Sequence, residues 1–127
     1  MKLTIIRLEH FSDQDLIDLG KIWPEYSAAS LSVDETHRIY AARFNERLLG
    51  AVRVTLSGTQ GALDSLRIRD VTRRRGVGKY LVEEVIRDNP DVSSWWMADV
   101  GVEDRAVMAA FMQVLGFTAQ TDGWEKR

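Results

Sequence analysis

The stretch that decides the fold is residues 66–88, LRIRDVTRRRGVGKYLVEEVIRD. Apolar and charged residues alternate at its start, with the period of two that is typical of a half-buried strand. Two glycines separated by one residue follow, and apolar residues then recur at helical spacing from Val77 to Ile86. The stretch therefore predicts a strand at residues 63–71, a basic glycine-containing loop and an amphipathic helix at residues 77–88, in direct succession.

The loop at residues 72–79, TRRRGVGK, has the features of an anion-binding site. The amino terminus of a helix presents unpaired backbone N–H groups and the positive end of the helix dipole, so it attracts phosphate. Gly76 and Gly78 carry no side chain, which would let a ligand approach the backbone. The P-loop and G-x-G-x-x-G patterns are both absent. We interpret the loop as a pyrophosphate site; the alternative is a tight turn with a solvated basic surface.

Composition and charge narrow the class of protein. The chain has 127 residues, of which 45% are hydrophobic and 28% charged, and this fits a single soluble domain over residues 1–127. It has no cysteine, which excludes disulfides, thiolate metal sites and cysteine nucleophiles. The sequence shows neither an apolar run of roughly 20 residues that could span a membrane nor a secretory signal pattern. We therefore expect a cytoplasmic protein.

The net charge of −2 conceals a local basic cluster. Residues 67–79 contain six basic side chains against a single acid. A focus this small suits an anionic ligand, whereas a protein that binds nucleic acid normally has a wider basic surface.

Strand and helix patterns alternate along the rest of the chain. Strands are predicted at residues 3–8, 38–44, 48–56 and 93–100, with turns at 45–47 and 57–62. One further helix starts at residues 12–15 and ends at Pro24. Another opens at residues 103–104 and is closed by Gly116; it is apolar nearly all round, so we expect it to be buried. A final hairpin or strand follows. The order β-α-β-β-β-α-β-α-β predicts an α/β (α+β) fold with three neighbouring antiparallel strands.

Loop and element order together resemble the GCN5-related N-acetyltransferase (GNAT) superfamily over the whole chain. Residues 73–78 match its R-x-x-G-x-G pyrophosphate loop, and residues 109–117 match its ending, an alanine followed after six residues by Gly-Phe. The resemblance implies a mixed, mostly antiparallel central sheet of six to seven strands flanked by helices. It also implies acetyl-coenzyme A, or coenzyme A, as the cofactor.

The same resemblance assigns residues to the cofactor. The backbone of Leu66 and Ile68 would pair with the pantetheine arm, and the loop would hold the pyrophosphate. Asp99, Glu103 and Asp104 could ligate a metal, but no His or Cys accompanies them, and helix capping explains Glu103 and Asp104 better. The full set of expected cofactor-binding residues is Leu66, Arg67, Ile68, Thr72, Arg73, Arg74, Arg75, Gly76, Val77, Gly78, Lys79, Glu103, Asp104, Arg105 and Ala106.

Four segments resemble more narrowly the PanM/PanZ family, the maturation factors of aspartate 1-decarboxylase (PanD) in enteric bacteria: KIWPEYS (21–27), RIYAARFNERLL (38–49), SLRIRDVTRRRGVGKYL (65–81) and SSWWMADVGVEDR (93–105). This resemblance implies a regulatory protein that binds the PanD precursor and mature form. It would promote autocatalytic cleavage of the precursor to the pyruvoyl form and couple β-alanine and pantothenate synthesis to the coenzyme A level. For the partner contact we select Arg43 and Asn45, on a hairpin turn whose simpler interpretation is an ordinary solvated turn.

Residues used by catalytic members of the superfamily are replaced in this chain. A tyrosine usually lies four residues before the terminal Gly-Phe and protonates the departing thiolate; Met112 stands there. An asparagine common seven residues further upstream is Arg105, and Asp64 could still act as a base through water. We predict no catalytic residue and no metal ligand. The alternatives are an active N-acetyltransferase for a small amine or peptide, and a nucleotide- or nucleic-acid-binding module.

Two histidines and two tryptophans receive simple interpretations. His10 and His37 fall in separate predicted loops, and neither is expected to be catalytic. Trp95 and Trp96 alternate across a predicted strand, so we expect one to pack in the core and the other to meet a ligand or a partner.

Overall fold

The computed structural model describes residues 4–24, 33–44, 46–68, 77–98 and 105–126. Within these ranges the elements are β1 (Thr4–Leu8), α1 (Asp13–Ile22), β2 (His37–Phe44), β3 (Arg47–Ser57), β4 (Gln60–Ile68), α2 (Val77–Asp88), β5 (Ser94–Ala98), α3 (Arg105–Val114), β6 (Thr118–Gln120) and β7 (Gly123–Lys126). The strands form one sheet in the order β1-β2-β3-β4-β5-β7-β6. All neighbours are antiparallel except β4 and β5. The predicted α+β class with a mixed, mostly antiparallel sheet of up to seven strands is confirmed. None of the helices in these ranges is long and apolar enough to cross a membrane.

Helix α1 begins where the sequence predicts because Ser12 and Asp15 form a reciprocal capping box. The Ser12 hydroxyl accepts the Asp15 backbone N–H at 3.0 Å, and the Asp15 carboxylate accepts the Ser12 backbone N–H at 3.1 Å. The helix ends at Ile22, since the residue before a proline is disfavoured in the helical conformation and Pro24 follows Trp23.

The second turn of the β2-β3-β4 meander is shorter than predicted. We expected a turn at residues 57–62 and a strand at 63–71, but β4 already begins at Gln60, which pairs with Ser57. Gly58 has a φ of +59°, a left-handed conformation that glycine adopts without strain. Because of this, two residues suffice for the turn. Residues 69–71 lie outside the described ranges.

Two apolar clusters form on the two faces of the sheet. Alternation along β2 sends Ile39 and Ala41 to the cluster built with α1, whereas Tyr40 joins the cluster built with α2 and α3. The predicted apolar stripe of α2 is confirmed: Leu81 and Val85 have no exposed surface.

Helix α3 corrects one prediction and confirms another. It is not buried all round, because it packs against the sheet with one side only: Met112 is fully buried, but Val114 is 68% exposed. Gly116 closes the helix as predicted, with a φ of +89°, and the Phe117 N–H donates to the Met112 carbonyl at 2.9 Å.

The remaining aromatic and histidine predictions have mixed outcomes. Trp95 is 3% exposed and lies in the cluster with α2 and α3, so the expected core packing of one tryptophan is confirmed. Trp96 is half-buried and lies against Gly123; its contact with a ligand or partner stays a prediction. His37 is the exposed first residue of β2, not part of a loop.

Candidate functional site

Strand β4 changes course at Ser65. Two steps along β3, from Ala51 to Arg53, face three steps along β4, from Arg67 back to Asp64. This is a β-bulge, which bends the strand that carries the extra residue. Ser65 has a φ of +56°, a region that non-glycine residues occupy only when the surroundings hold them there. The bulge therefore lies directly before residues 66–69, where we predicted that buried and exposed side chains alternate. Residues 66–68 are instead all half-buried.

The ladder between β4 and β5 ends just before the bulge. The two strands pair in parallel from Gln60 with Ser94 to Leu63 with Met97. Strand β5 ends at Ala98, whereas β4 continues to Ile68. The part of β4 that carries the predicted cofactor residues 66–68 therefore lies beyond this ladder.

The first turn of α2 packs tightly beside the end of β4. A Cβ added to Gly78 would lie 3.3 Å from Phe111 Cζ and 3.6 Å from Ile68 Cγ1. We predicted that Gly78 lets a ligand reach the backbone, but its missing side chain faces the protein instead. The glycine allows α2 to approach β4 and α3 closely, which sets the helix amino terminus next to Ile68. Lys79 is exposed.

The structure brings the end of β4 next to the start of α2. A Cβ on Gly78 would contact both Ile68 of β4 and Phe111 of α3. The described residues of the predicted set are Leu66, Arg67, Ile68, Val77, Gly78, Lys79 and Ala106, together with the backbone of Arg105. Those outside the described residues are Thr72, Arg73, Arg74, Arg75, Gly76, Glu103 and Asp104.

Sequence reasoning missed Trp23, which holds the bulge in place. Trp23 has no exposed surface, and its Nε1–H donates to the Ser65 carbonyl at 2.7 Å. The Arg67 guanidinium donates to the Ile22 carbonyl at 3.4 Å. The carboxyl end of α1 is thus bonded to β4 on both sides of Leu66. The only signal in the sequence was a tryptophan directly before a helix-ending proline, and nothing in it identified a partner 42 residues away.

Arg43 and Arg47, on the two strands that flank the turn between β2 and β3, are bonded to α1. The choice between a partner contact and an ordinary solvated turn stays a prediction. Arg43 Nη2 lies 3.2 Å from Asp15 Oδ1. Arg47 donates from Nη2 to Asp18 Oδ1 at 2.7 Å and from Nε to both carboxylate oxygens of Asp18. Arg43 Nε is buried and has no hydrogen-bond partner within the described ranges. Asn45, the other predicted partner contact, lies outside the described residues.

The Asp18 carboxylate is fully buried, and its charge is held by the groups around it. Burial acts to raise the pKa of Asp18, but the hydrogen bonds from Arg47 and from the Leu48 backbone N–H outweigh this effect. The pKa therefore lies below the ordinary value of 3.8. Asp18 is ionised at neutral pH and fixes the start of β3 against α1.

Two of the three positions weighed for acetyl transfer, Met112 and Asp64, have described side chains. Met112 has no exposed surface and lies in the apolar cluster with α2 and α3, so it faces no cleft. The Asp64 carboxylate accepts the Ser65 hydroxyl at 2.9 Å and lies 3.8 Å from Arg53 Nε. Within the described residues, His, Asp and Glu side chains form no group that could hold a metal ion.

Known proteins resemble the chain over its full length. Residues 2–125 match the family described as acetyltransferase (GNAT) domain, PanZ. The chain is 91% identical over 127 residues to the PanD regulatory factor of Salmonella typhimurium, covering 100% of both chains. It is 81% identical over 126 residues to the PanD regulatory factor of Escherichia coli, covering 99% of each.

Solved structures agree with this placement. YhhK from Escherichia coli, solved by NMR in solution bound to coenzyme A, has a TM-score of 0.91 and 80% identity, over 99% of this chain and 98% of that chain. The PaiA N-acetyltransferase of Thermoplasma acidophilum, in complex with coenzyme A, has a TM-score of 0.72 and 16% identity, over 100% of this chain and 99% of that chain. The latter likeness shows the fold alone. With the family match spanning nearly every residue and two relatives far above 30% identity, the chain belongs to the PanZ family of acetyltransferase (GNAT) domains.

Proposed function

We propose that this protein is a coenzyme A-dependent regulator of PanD. With acetyl-coenzyme A or coenzyme A bound, it docks on PanD and promotes autocatalytic cleavage of the PanD precursor to the pyruvoyl form. Synthesis of β-alanine, and hence of pantothenate, is thereby coupled to the coenzyme A level. The observation that carries the proposal is the 91% and 81% identity to two proteins named PanD regulatory factor, over essentially complete chains.

We assign the cofactor to the part of β4 that lies beyond its ladder with β5. Residues 66–68 would pair with the pantetheine arm. The first turn of α2, with the exposed Lys79, would face the pyrophosphate together with the basic loop at residues 72–76. Arg105 and Ala106, the first residues of α3, complete the assigned set. Binding of coenzyme A by YhhK, at 80% identity, supports this assignment.

We also propose that the protein senses the cofactor without transferring its acetyl group. Acetyl transfer needs an acid to protonate the departing thiolate. Met112 has no exchangeable proton and is fully buried, so this position can supply none. The family description as an acetyltransferase domain favours the alternative of an active N-acetyltransferase. Release of free thiol from acetyl-coenzyme A over a panel of amines and peptides decides between them, and turnover would overturn the sensor.

Partner docking is assigned to the hairpin of β2 and β3, at Arg43 and Asn45. The ion pair between Arg43 and Asp15 gives this surface a defined geometry, which a freely solvated turn would lack. Replacing Asn45 by alanine should weaken PanD binding by about 1–3 kcal/mol, since a polar contact buried in the complex is lost. An affinity equal to that of the unmodified chain would remove Asn45 from the interface.

The direct test of the proposed function mixes purified PanD precursor with this protein, with and without acetyl-coenzyme A, and follows cleavage by mass spectrometry. Cleavage should be fastest with both present. If it is no faster than for the precursor alone, the proposal fails.

A pair of glycine variants tests whether the loop carries the cofactor's effect. Gly76→Trp should remove the effect of acetyl-coenzyme A on cleavage, because a bulky side chain would block the phosphate loop. The matched control is Gly20→Trp on α1, where nothing lies within 4 Å of an added Cβ. An acetyl-coenzyme A effect that persists in Gly76→Trp would move the phosphate site elsewhere.

A further inference from the structure

Helix α1 is bonded near its start to the hairpin of β2 and β3 and at its end to β4. Asp15 and Asp18 hold the hairpin, and the end of the helix holds the bulge of β4. The proposed docking surface and the proposed cofactor strand are therefore attached to the same ten-residue helix.

The contacts at the carboxyl end of α1 reach the part of β4 that would hold pantetheine. Trp23 Nε1–H bonds the carbonyl of Ser65, the residue in the left-handed conformation. Arg67, two residues further along β4, bonds the carbonyl of Ile22. Because Trp23 fixes the peptide group that leads into Leu66, a change in the path of residues 66–68 must move or break this bond.

The contacts near the start of α1 reach the hairpin that would meet PanD. Asp18 is fully buried and bonded to Arg47, so the start of β3 follows the helix. Asp15 holds Arg43, whose Nε is buried with no acceptor in the part of the chain that the structure describes. A buried N–H without an acceptor is unfavourable. A second arrangement of Arg43 that gave its Nε–H an acceptor would therefore be favourable.

The helix between these contacts is short and closed by a capping box at Ser12, so its two ends move together. Ten residues of α-helix span about 15 Å. A displacement at Trp23 is thereby transmitted to Asp15 and Asp18 and is not absorbed by an intervening loop.

We propose that α1 couples the two sites, with Trp23 as the positioning residue. Cofactor bound along residues 66–68 fixes the bulge, the bulge fixes α1 through Trp23, and α1 sets the geometry of Arg43 for PanD. This coupling rests on the proposed function above. It is reciprocal by thermodynamic necessity: whatever acetyl-coenzyme A adds to PanD affinity, PanD adds to acetyl-coenzyme A affinity.

The test replaces the Trp23 indole by 3-benzothienylalanine, which keeps the shape of the ring but puts sulfur in place of the N–H. Calorimetry gives the dissociation constant of mature PanD with and without acetyl-coenzyme A, and the ratio of the two measures the coupling. In the unmodified protein we expect a ratio of about 5 to 150. In the variant the ratio should fall about five-fold, as expected for the loss of one buried hydrogen bond.

The matched control is Tyr40→Phe, which also removes a buried hydrogen-bond donor from an aromatic ring. Tyr40 lies on the face opposite α1, and its hydroxyl bonds Asp88 and Asn89 at the end of α2. The coupling ratio of this variant should equal that of the unmodified chain. A ratio that falls equally in both variants would reduce the effect of Trp23 to general loss of stability and overturn its positioning role.

The outcomes separate the two proposals. A ratio of one in the unmodified protein overturns the proposed function, and the coupling with it. A ratio above one that is unchanged in the Trp23 variant overturns only the role of α1.

A second measurement uses the unmodified chain and does not depend on any variant folding. The Trp23 indole N–H resonance should shift on adding acetyl-coenzyme A and, separately, on adding PanD. Trp23 has no exposed surface, so direct contact with either molecule cannot cause the shift. If the resonance is unmoved by both, the coupling through α1 is wrong.

Discussion

The negative charge of the buried Asp18 carboxylate stabilises the folded chain. Asp18→Asn keeps the shape and one acceptor for the Leu48 N–H but loses the charge that faces Arg47. The free energy of unfolding should fall by about 1–3 kcal/mol, measured by urea denaturation at pH 7. The control Glu83→Gln makes the same chemical change at an exposed position of α2 and should stay within about 0.5 kcal/mol.

The pH dependence of this difference has a definite sign. The pKa of Asp18 is lower in the folded chain than its ordinary value of 3.8, so the charged form favours folding. The difference between Asp18→Asn and the unmodified chain should be constant well above pH 3.8 and shrink as the pH falls below it. A difference that instead grows on acidification would contradict the assigned direction.

Asp34 provides a second titration, at an exposed site. Its carboxylate accepts the backbone N–H groups of His37 and Thr36, and these bonds hold its pKa at about 2. The stabilising contribution of Asp34 should be complete above 3.8 and be lost as the pH falls toward 2. Carbon NMR of the carboxyl group measures the midpoint directly. A midpoint at 3.8 or above would show that these hydrogen bonds do not form in solution.

At the scale of elements, local signals were enough to predict the helices. The capping box at Ser12 and the apolar spacing of α2 lie within a few residues of the structure that they determine. The bulge of β4 depends on Trp23, 42 residues from Ser65, and no local pattern encodes that contact. The role of Gly78 was predicted wrongly for the same reason: its neighbour Phe111 lies on α3, which is distant along the chain.

The approach of α2 to β4 and α3 can be tested at Gly78. Gly78→Val adds atoms where a Cβ alone would already lie 3.3 Å from Phe111 Cζ. We expect a loss of about 1–3 kcal/mol in the free energy of unfolding, because overpacking forces neighbours to shift. The amino terminus of α2 should also move from Ile68, which would weaken coenzyme A binding measured by calorimetry.

Gly20→Val is the control for this element. Gly20 lies within α1, and nothing stands within 4 Å of an added Cβ. Valine is a better helix former than glycine, so stability should be unchanged or rise by a few tenths of a kcal/mol. If Gly78→Val were as stable as Gly20→Val, the tight packing of α2 on Phe111 would be refuted.

At the scale of the whole molecule, one sheet carries both proposed sites, and the two apolar clusters divide its faces. The cluster with α1 supports the hairpin of β2 and β3, whereas the cluster with α2 and α3 supports the cofactor side. Strand β4 lies in the middle of the sheet, and its bulge is bonded to the end of α1. The hydrogen bond from Trp23 to Ser65 thus connects α1 to the strand that the cofactor would touch.

The charge of the whole molecule opposes an anionic ligand, while one segment attracts it. Net charge is −2, yet residues 67–79 carry six basic side chains against one acid. Coenzyme A is an anion, so its affinity should fall as salt screens this segment, the Debye length shrinking from about 10 Å at 0.1 M to about 3 Å at 1 M. Calorimetry across that range measures the slope.

Lys79→Gln tests whether the basic segment at residues 67–79 or the net charge of the chain governs coenzyme A binding. Lys79 is exposed in the first turn of α2, so its loss should weaken coenzyme A binding at low salt and flatten the salt dependence. Lys21→Gln removes the same charge from the exposed last turn of α1 and should leave the slope nearly unchanged. Equal slopes in both variants would mean that the net charge, and not the basic segment at residues 67–79, governs the binding of coenzyme A.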